Sequence, residues 1–292
     1  MPLNLSGVGV AIVTPFKNDL SVDYNALEKL VNHLVDGGVQ YLVVQGTTGE
    51  TPTLTKTEKA EILAKVVAVN AGRLPIILGH GGNNTQALID GFKEVNFNGV
   101  NAILSASPYY NKPNQDGVFQ HYKALNDHSP VPIIVYNVPG RTASNILPAT
   151  QIRLANELDK IVAVKEASGN IEQKAEVARL CPSGFTLLSG DDAQILAEVA
   201  QGTKGVISVI ANALPKHFSD MVQLALNNQY EEARTIFYKM LPIINLLFAD
   251  GNPAGIKAAL YILGICEENV RLPLVKANRE VYKGLEKLLA DL

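Results

Sequence analysis

The chain has 292 residues, 47% of them hydrophobic, with a formal net charge of −3. That is enough apolar material for a large core, and the weak negative charge gives no polyanion-binding surface, so no nucleic-acid partner is expected. Cys181 and Cys266 show no CxxC spacing and the five histidines form no HxH or HExxH pair, so free thiols and no metal site are expected.

The N-terminus, MPLNLSGVGVAIVTPF, has no basic start and its apolar run closes at Pro15, so it reads as a strand and not as a signal peptide. Short β-branched runs then recur. They cover 9–14, 41–46, 75–79, 102–105, 132–137, 161–166, 185–190 and 205–210. Most are continuously apolar, as strands covered on both faces are. Helical spacing fills the gaps. The segment 22–36 places Leu27, Leu30, Val31 and Leu34 on one face before Gly37-Gly38. The segment 55–70 opens on Thr55-Lys56-Thr57-Glu58, a capping box. Segments 84–96, 117–127, 147–158, 171–180 and 193–201 fit the same role. After residue 212 only helices follow, over 214–227, 230–248, 253–263 and 274–292. Eight strands alternating with helices predict a (β/α)8 TIM barrel over 1–225, with a C-terminal helical extension over 226–292. A doubly wound sheet is the alternative, but the first strand runs into Pro15-Phe16-Lys17-Asn18 and lacks a glycine fingerprint. No apolar stretch reaches the ~18 residues that span a bilayer. A soluble, cytoplasmic protein with no membrane partner is expected.

In such barrels chemistry sits at the C-terminal ends of strands. Lys165 ends IVAVK there. Burial disfavours an amine's charged form, and only the neutral amine attacks a ketone. The alternative is a lysine that reaches solvent or pairs with Glu166. Tyr136 ends PIIVY one strand earlier, as a core tyrosine or as a proton relay beside an imine. Gly46-Thr47-Thr48-Gly49-Glu50 follows the second strand; its hydroxyls and N–H groups suit a carboxylate, although the segment also reads as a plain turn. Arg141 suits a substrate carboxylate, or is an ordinary surface arginine. Ser107-Pro108-Tyr109-Tyr110-Asn111-Lys112-Pro113 reads as a stiff aromatic loop, for packing or for an interface. The aspartates of Ser189-Gly190-Asp191-Asp192 argue for an unphosphorylated substrate.

Together GTTGE at 46–50, SPYYNKP at 107–113, YNVPGRT at 136–142, KEASGN at 165–170, SGDD at 189–192 and GVISV at 205–209 resemble the dihydrodipicolinate synthase family, within the N-acetylneuraminate lyase superfamily of class I pyruvate aldolases. The likeness spans the whole chain. It implies a TIM barrel that condenses pyruvate with L-aspartate 4-semialdehyde in lysine biosynthesis by the diaminopimelate route. It also implies that Lys165 forms the imine while Tyr136 relays protons with Thr47 and with Tyr110, which reaches in from a neighbouring subunit. Thr48 and Ile207 would contact pyruvate, Gly190 counts as a further substrate-binding position, and Arg141 would bind the semialdehyde carboxylate. No cofactor and a homotetramer, a dimer of dimers, are implied. A sugar-acid aldolase of the same superfamily, such as N-acetylneuraminate lyase, is the nearest rival; it would usually lack Arg141. A catalytically inert barrel retained as a binding protein is the rival from another class. One departure concerns regulation. Lysine-inhibited members often carry histidines and a glutamate where this chain has Lys56, Lys59 and Ala87, which should not hold a lysine ligand, so weak or absent lysine feedback is expected.

Overall fold

A computed structural model describes residues 3–292. The strands are β1 (Gly7–Ala11), β2 (Tyr41–Val44), β3 (Ile76–Gly79), β4 (Ala102–Ala106), β5 (Ile133–Asn137), β6 (Ile161–Glu166), β7 (Thr186–Ser189) and β8 (Gly205–Ser208). They form a closed barrel in sequence order. Every ladder between them with a described register is parallel. The helices are α1 (Tyr24–Asp36), α2 (Lys56–Asn70), α3 (Thr85–Gly91), α4 (Gln115–His128), α5 (Pro139–Thr142), α6 (Pro148–Glu157), α7 (Ile171–Leu180), α8 (Ile195–Ala200), α9 (Pro215–Leu226), α10 (Tyr230–Ala249), α11 (Ala254–Ile262) and α12 (Arg279–Ala290). None is long and apolar enough to cross a membrane among the described residues.

Two compact units divide the chain. One comprises residues 3–6 and 75–207, the other 7–74 and 208–292. In the second unit Asp23 caps α1 by accepting from the N–H groups of Asn25 and Ala26, and Leu27, Leu30, Val31 and Leu34 bury its apolar stripe. Thr55 and Glu58 form the expected capping box on α2. Gly9 lets β1 lie close to β2, because a Cβ there would stand 1.9 Å from the Tyr41 ring. The helices α9 to α12 pack on one another in this unit, and α9 also packs on β1.

Among the departures from the expected elements, three have clear local reasons. Beyond Gly91 the chain tightens to i→i+3 hydrogen bonds, so α3 ends before residue 96. The one-turn helix α5 lies in a stretch the sequence left unassigned, and it starts at Pro139, which suits a first helical position. The last helix starts at Arg279 and not at 274, because the Asn278 side chain accepts from the N–H groups of Glu280 and Val281 and caps it there.

Candidate active site

In the first unit β5 and β6 lie side by side with Tyr136 opposite Lys165 and Asn137 opposite Glu166. Successive side chains of a strand point to opposite faces. Tyr136 and Lys165 therefore share one face, and Asn137 and Glu166 the other. Lys165 is only 6% exposed and Tyr136 8%. The Lys165 Nζ stands 4.3 Å from the centre of the Tyr136 ring. Both side chains are thus largely buried at the strand ends.

Glu166 does not pair with Lys165. It is fully buried, and its Oε2 accepts hydrogen bonds from Asn137 Nδ2 (2.8 Å), Gln151 Nε2 (2.6 Å) and Gln173 Nε2 (2.9 Å). Its Oε1 accepts from the Ser168 N–H at 2.8 Å. A carboxylate is acceptor-only, so all four donors are satisfied at once. The cluster ties the ends of β5 and β6 to α6 and α7. Asn137 Oδ1 extends it by accepting from the Ile146 N–H. Sequence reasoning missed this support. Glu166 and Asn137 sat inside the motifs it used, but Gln151 and Gln173 carry no local signal, because they meet Glu166 only in three dimensions.

Gly190 closes over the lysine. Its N–H donates to the Glu166 carbonyl at 2.9 Å, and a Cβ there would lie 3.0 Å from Lys165 Cε and 2.5 Å from Ala167 Cβ. Only glycine lets the 189–192 turn pass this close. Ser189 Oγ accepts from the Asp191 N–H, which shapes that turn. Ile207 is buried on β8. Arg141 lies exposed on α5, and its guanidinium makes no ion pair or hydrogen bond among the described residues. Tyr110 is 88% exposed with a left-handed backbone (φ 70°). Its loop is pinned by hydrogen bonds between Asn83 and the neighbours Tyr109 and Asn111. Thus Lys165, Tyr136 and Gly190 come together, whereas Tyr110 and Arg141 are exposed and make no hydrogen bond or ion pair to them among the described residues.

In the second unit the 46–50 segment is a single 3-10 turn, Thr47–Gly49, with left-handed residues Gln45 (φ 60°) and Glu50 (φ 54°) on either side. Thr47 is exposed; Thr48 is buried, and its Oγ1 accepts from Asn252 Nδ2 at 2.9 Å. Glu50 holds the turn from below. Its Oε1 accepts from Lys257 Nζ (2.5 Å) and its Oε2 from the Arg271 N–H (2.9 Å). Lys257 and Glu50 are fully buried, and Lys257 also donates to the Asn269 carbonyl at 2.7 Å. Burial pulls the Lys257 amine below the ordinary lysine range, and the Glu50 charge opposes that shift. Sequence reasoning missed Asn252, Lys257 and Arg271. A lysine inside the apolar run AGIKAAL was the one available signal.

A sequence profile of the dihydrodipicolinate synthetase family matches residues 4–292. The chain belongs to that family. Its members are Schiff-base-forming lyases of the aldolase type, and this chain is an enzyme of that class. The chain is 50% identical to the 4-hydroxy-tetrahydrodipicolinate synthase of Parabacteroides distasonis, covering 99% of this chain and 98% of that one. Among solved structures, the dihydrodipicolinate synthase of Thermotoga maritima superposes with a TM-score of 0.95 at 38% identity, covering 98% of each chain. A chloride-inhibited dihydrodipicolinate synthase from Acinetobacter baumannii, complexed with pyruvate, superposes with a TM-score of 0.95 at 36% identity over 99% of each chain.

Proposed function

We propose that the protein is a 4-hydroxy-tetrahydrodipicolinate synthase acting in lysine biosynthesis by the diaminopimelate route, and that Lys165 carries its chemistry. The observation that carries the reading is the buried Lys165 side chain, its amine set 4.3 Å from the Tyr136 ring and in no ion pair among the described residues. The amine adds to the keto carbon of pyruvate and water leaves, which forms a carbon–nitrogen double bond. That imine withdraws electrons from the methyl group, whose proton departs to leave an enamine. The enamine carbon attacks the aldehyde carbon of L-aspartate 4-semialdehyde, and the new alkoxide takes up a proton. Tyr136 carries these protons, in relay with Thr47 and with Tyr110 of a second copy. The 88% exposure of Tyr110 supports a role across an interface. Thr48, Ile207 and Gly190 border pyruvate. Exposed Arg141 takes the semialdehyde carboxylate through paired hydrogen bonds. The reading needs no metal or organic cofactor. It carries with it a homotetramer of two dimers, in the cytoplasm, with 1–225 as the barrel and 226–292 as the helical extension.

The test is a coupled assay with two arms. Pyruvate with L-aspartate 4-semialdehyde should turn over. N-acetylneuraminate should not be cleaved to pyruvate. Turnover in the second arm alone would replace the synthase by a sugar-acid aldolase.

A further inference from the structure

The segment between α10 and α11 holds a residue with no evident structural purpose. Asn252 is 8% exposed, and its one hydrogen bond is the Nδ2–H donated to Thr48 Oγ1 at 2.9 Å. Its Oδ1 is buried and has no hydrogen-bond partner among the described residues. A buried acceptor left unpaired destabilises a fold. Asn252 is therefore not placed there for stability, and the one partner it does have is a substrate-turn hydroxyl.

The direction of that bond matters. A threonine hydroxyl has one proton to donate and two lone pairs that accept. An amide nitrogen only donates. With Asn252 Nδ2 on one lone pair, the Thr48 proton points away from Asn252. No carbonyl, carboxylate or hydroxyl among the described residues takes it. Thr48 is only 2% exposed, so the proton is an unspent donor inside the protein. The turn that carries it has little freedom. The buried Glu50–Lys257 pair and the Arg271 N–H hold its far end, and Thr51 Oγ1 donates to the Gln45 carbonyl at 2.5 Å.

We propose that Asn252 is a positioning residue for substrate binding: its amide sets the Thr48 hydroxyl as a donor, so that the turn offers that proton to a ligand carboxylate and disfavours an ammonium group. This rests on the reading that Thr48 borders pyruvate. The helical extension then contributes to specificity without touching the substrate. The hydroxyl meets the carboxylate in the ground state and in the transition state alike. Its loss raises the pyruvate concentration needed for half-saturation.

The experiment is borohydride trapping over a range of pyruvate concentrations, read by intact mass, for the wild type, Thr48→Val, Asn252→Ala and the double variant. Each single variant should raise the half-saturating pyruvate by a similar factor, roughly three- to tenfold for one hydrogen bond. The double variant should rise no further than Thr48→Val, because Asn252 acts through Thr48. The thermal midpoint of Asn252→Ala should stay at the wild-type value. Factors that multiply in the double variant, or an unchanged half-saturation in Asn252→Ala, overturn the proposal. Where Asn252→Ala does not fold, Asn252→Asp serves: an acceptor-only side chain draws the Thr48 proton onto itself, and wild-type pyruvate saturation there overturns the proposal. A wild type that traps no adduct at all removes the Schiff-base reading, and this proposal with it. Trapping on Lys165 with multiplying factors leaves that reading intact and overturns this one alone.

Discussion

Replacing Glu166 by alanine removes the acceptor on which the Lys165 strand end is built. Three buried amide nitrogens, on Asn137, Gln151 and Gln173, lose one hydrogen bond each, and the Ser168 N–H loses a fourth. Each amide keeps a second acceptor for its other hydrogen: Asn145 Oδ1 for Asn137 and Gln173, and the Ile146 carbonyl for Gln151. The cost is thus one orphaned hydrogen per amide. A buried unpaired donor costs about 1–3 kcal/mol, and neighbours in one network do not add fully, so about 4 kcal/mol is the expected loss. At roughly 2–4 °C per kcal/mol for a chain of this size, the melting temperature should fall by about 10 °C. Glu166→Gln keeps a carbonyl oxygen as acceptor and should fall by less than half as much. Circular dichroism melts of the three proteins, at equal concentration, measure this. A Glu166→Ala midpoint within about 1 °C of the wild type, the range of a neutral surface change, would refute the reasoning.

Lys257→Met should destabilise by about 3–5 kcal/mol, because it strands a buried Glu50 charge; pairing it with Glu50→Leu should recover most of the loss, and urea titration of both variants would expose a failure of either half. His121 is buried on α4 beside Thr85, and burial pulls its imidazole down from 6.5 to about 4. Its folded form is depressed, so its contribution is complete above pH 6.5 and is lost as pH falls through about 4. That difference is worth about 3 kcal/mol, so the wild type should lose more stability than His121→Gln across this window, and parallel pH–stability curves would contradict it. Lysine should inhibit weakly or not at all, since Lys56 and Ala87 are exposed with the wrong chemistry for a lysine ligand; an inhibition curve in the micromolar range would overturn that.

The strands and the Lys165–Tyr136 pair were legible because they rest on local signals. Continuous apolar runs mark buried strands, and a lysine or tyrosine that ends such a run stands out against them. The pairing of Lys165 with Glu166 stayed open in the sequence; in the structure Glu166 spends its oxygens on Asn137, Gln151, Gln173 and the Ser168 N–H. The capping box of α2 was readable locally, since Thr55 and Glu58 lie within one turn. The Asn278 cap of α12 was equally local and was overlooked, because the apolar residues from Leu274 onward suggested an earlier start. What could not be read was support arriving from far along the chain. Gln151 and Gln173 meet Glu166 through the packing of α6 and α7, and Asn252 and Lys257 meet the 46–50 turn across some 200 residues. Nothing in a single sequence marks such partners except the oddity of a lysine in an apolar helix.

The central claim is that Lys165 is the amine that captures pyruvate. Borohydride reduction in the presence of pyruvate, followed by peptide mapping, tests it directly. One pyruvyl adduct is expected, on Lys165, and none in Lys165→Met. An adduct on another lysine, such as the buried Lys257, or no adduct in the wild type, would contradict it.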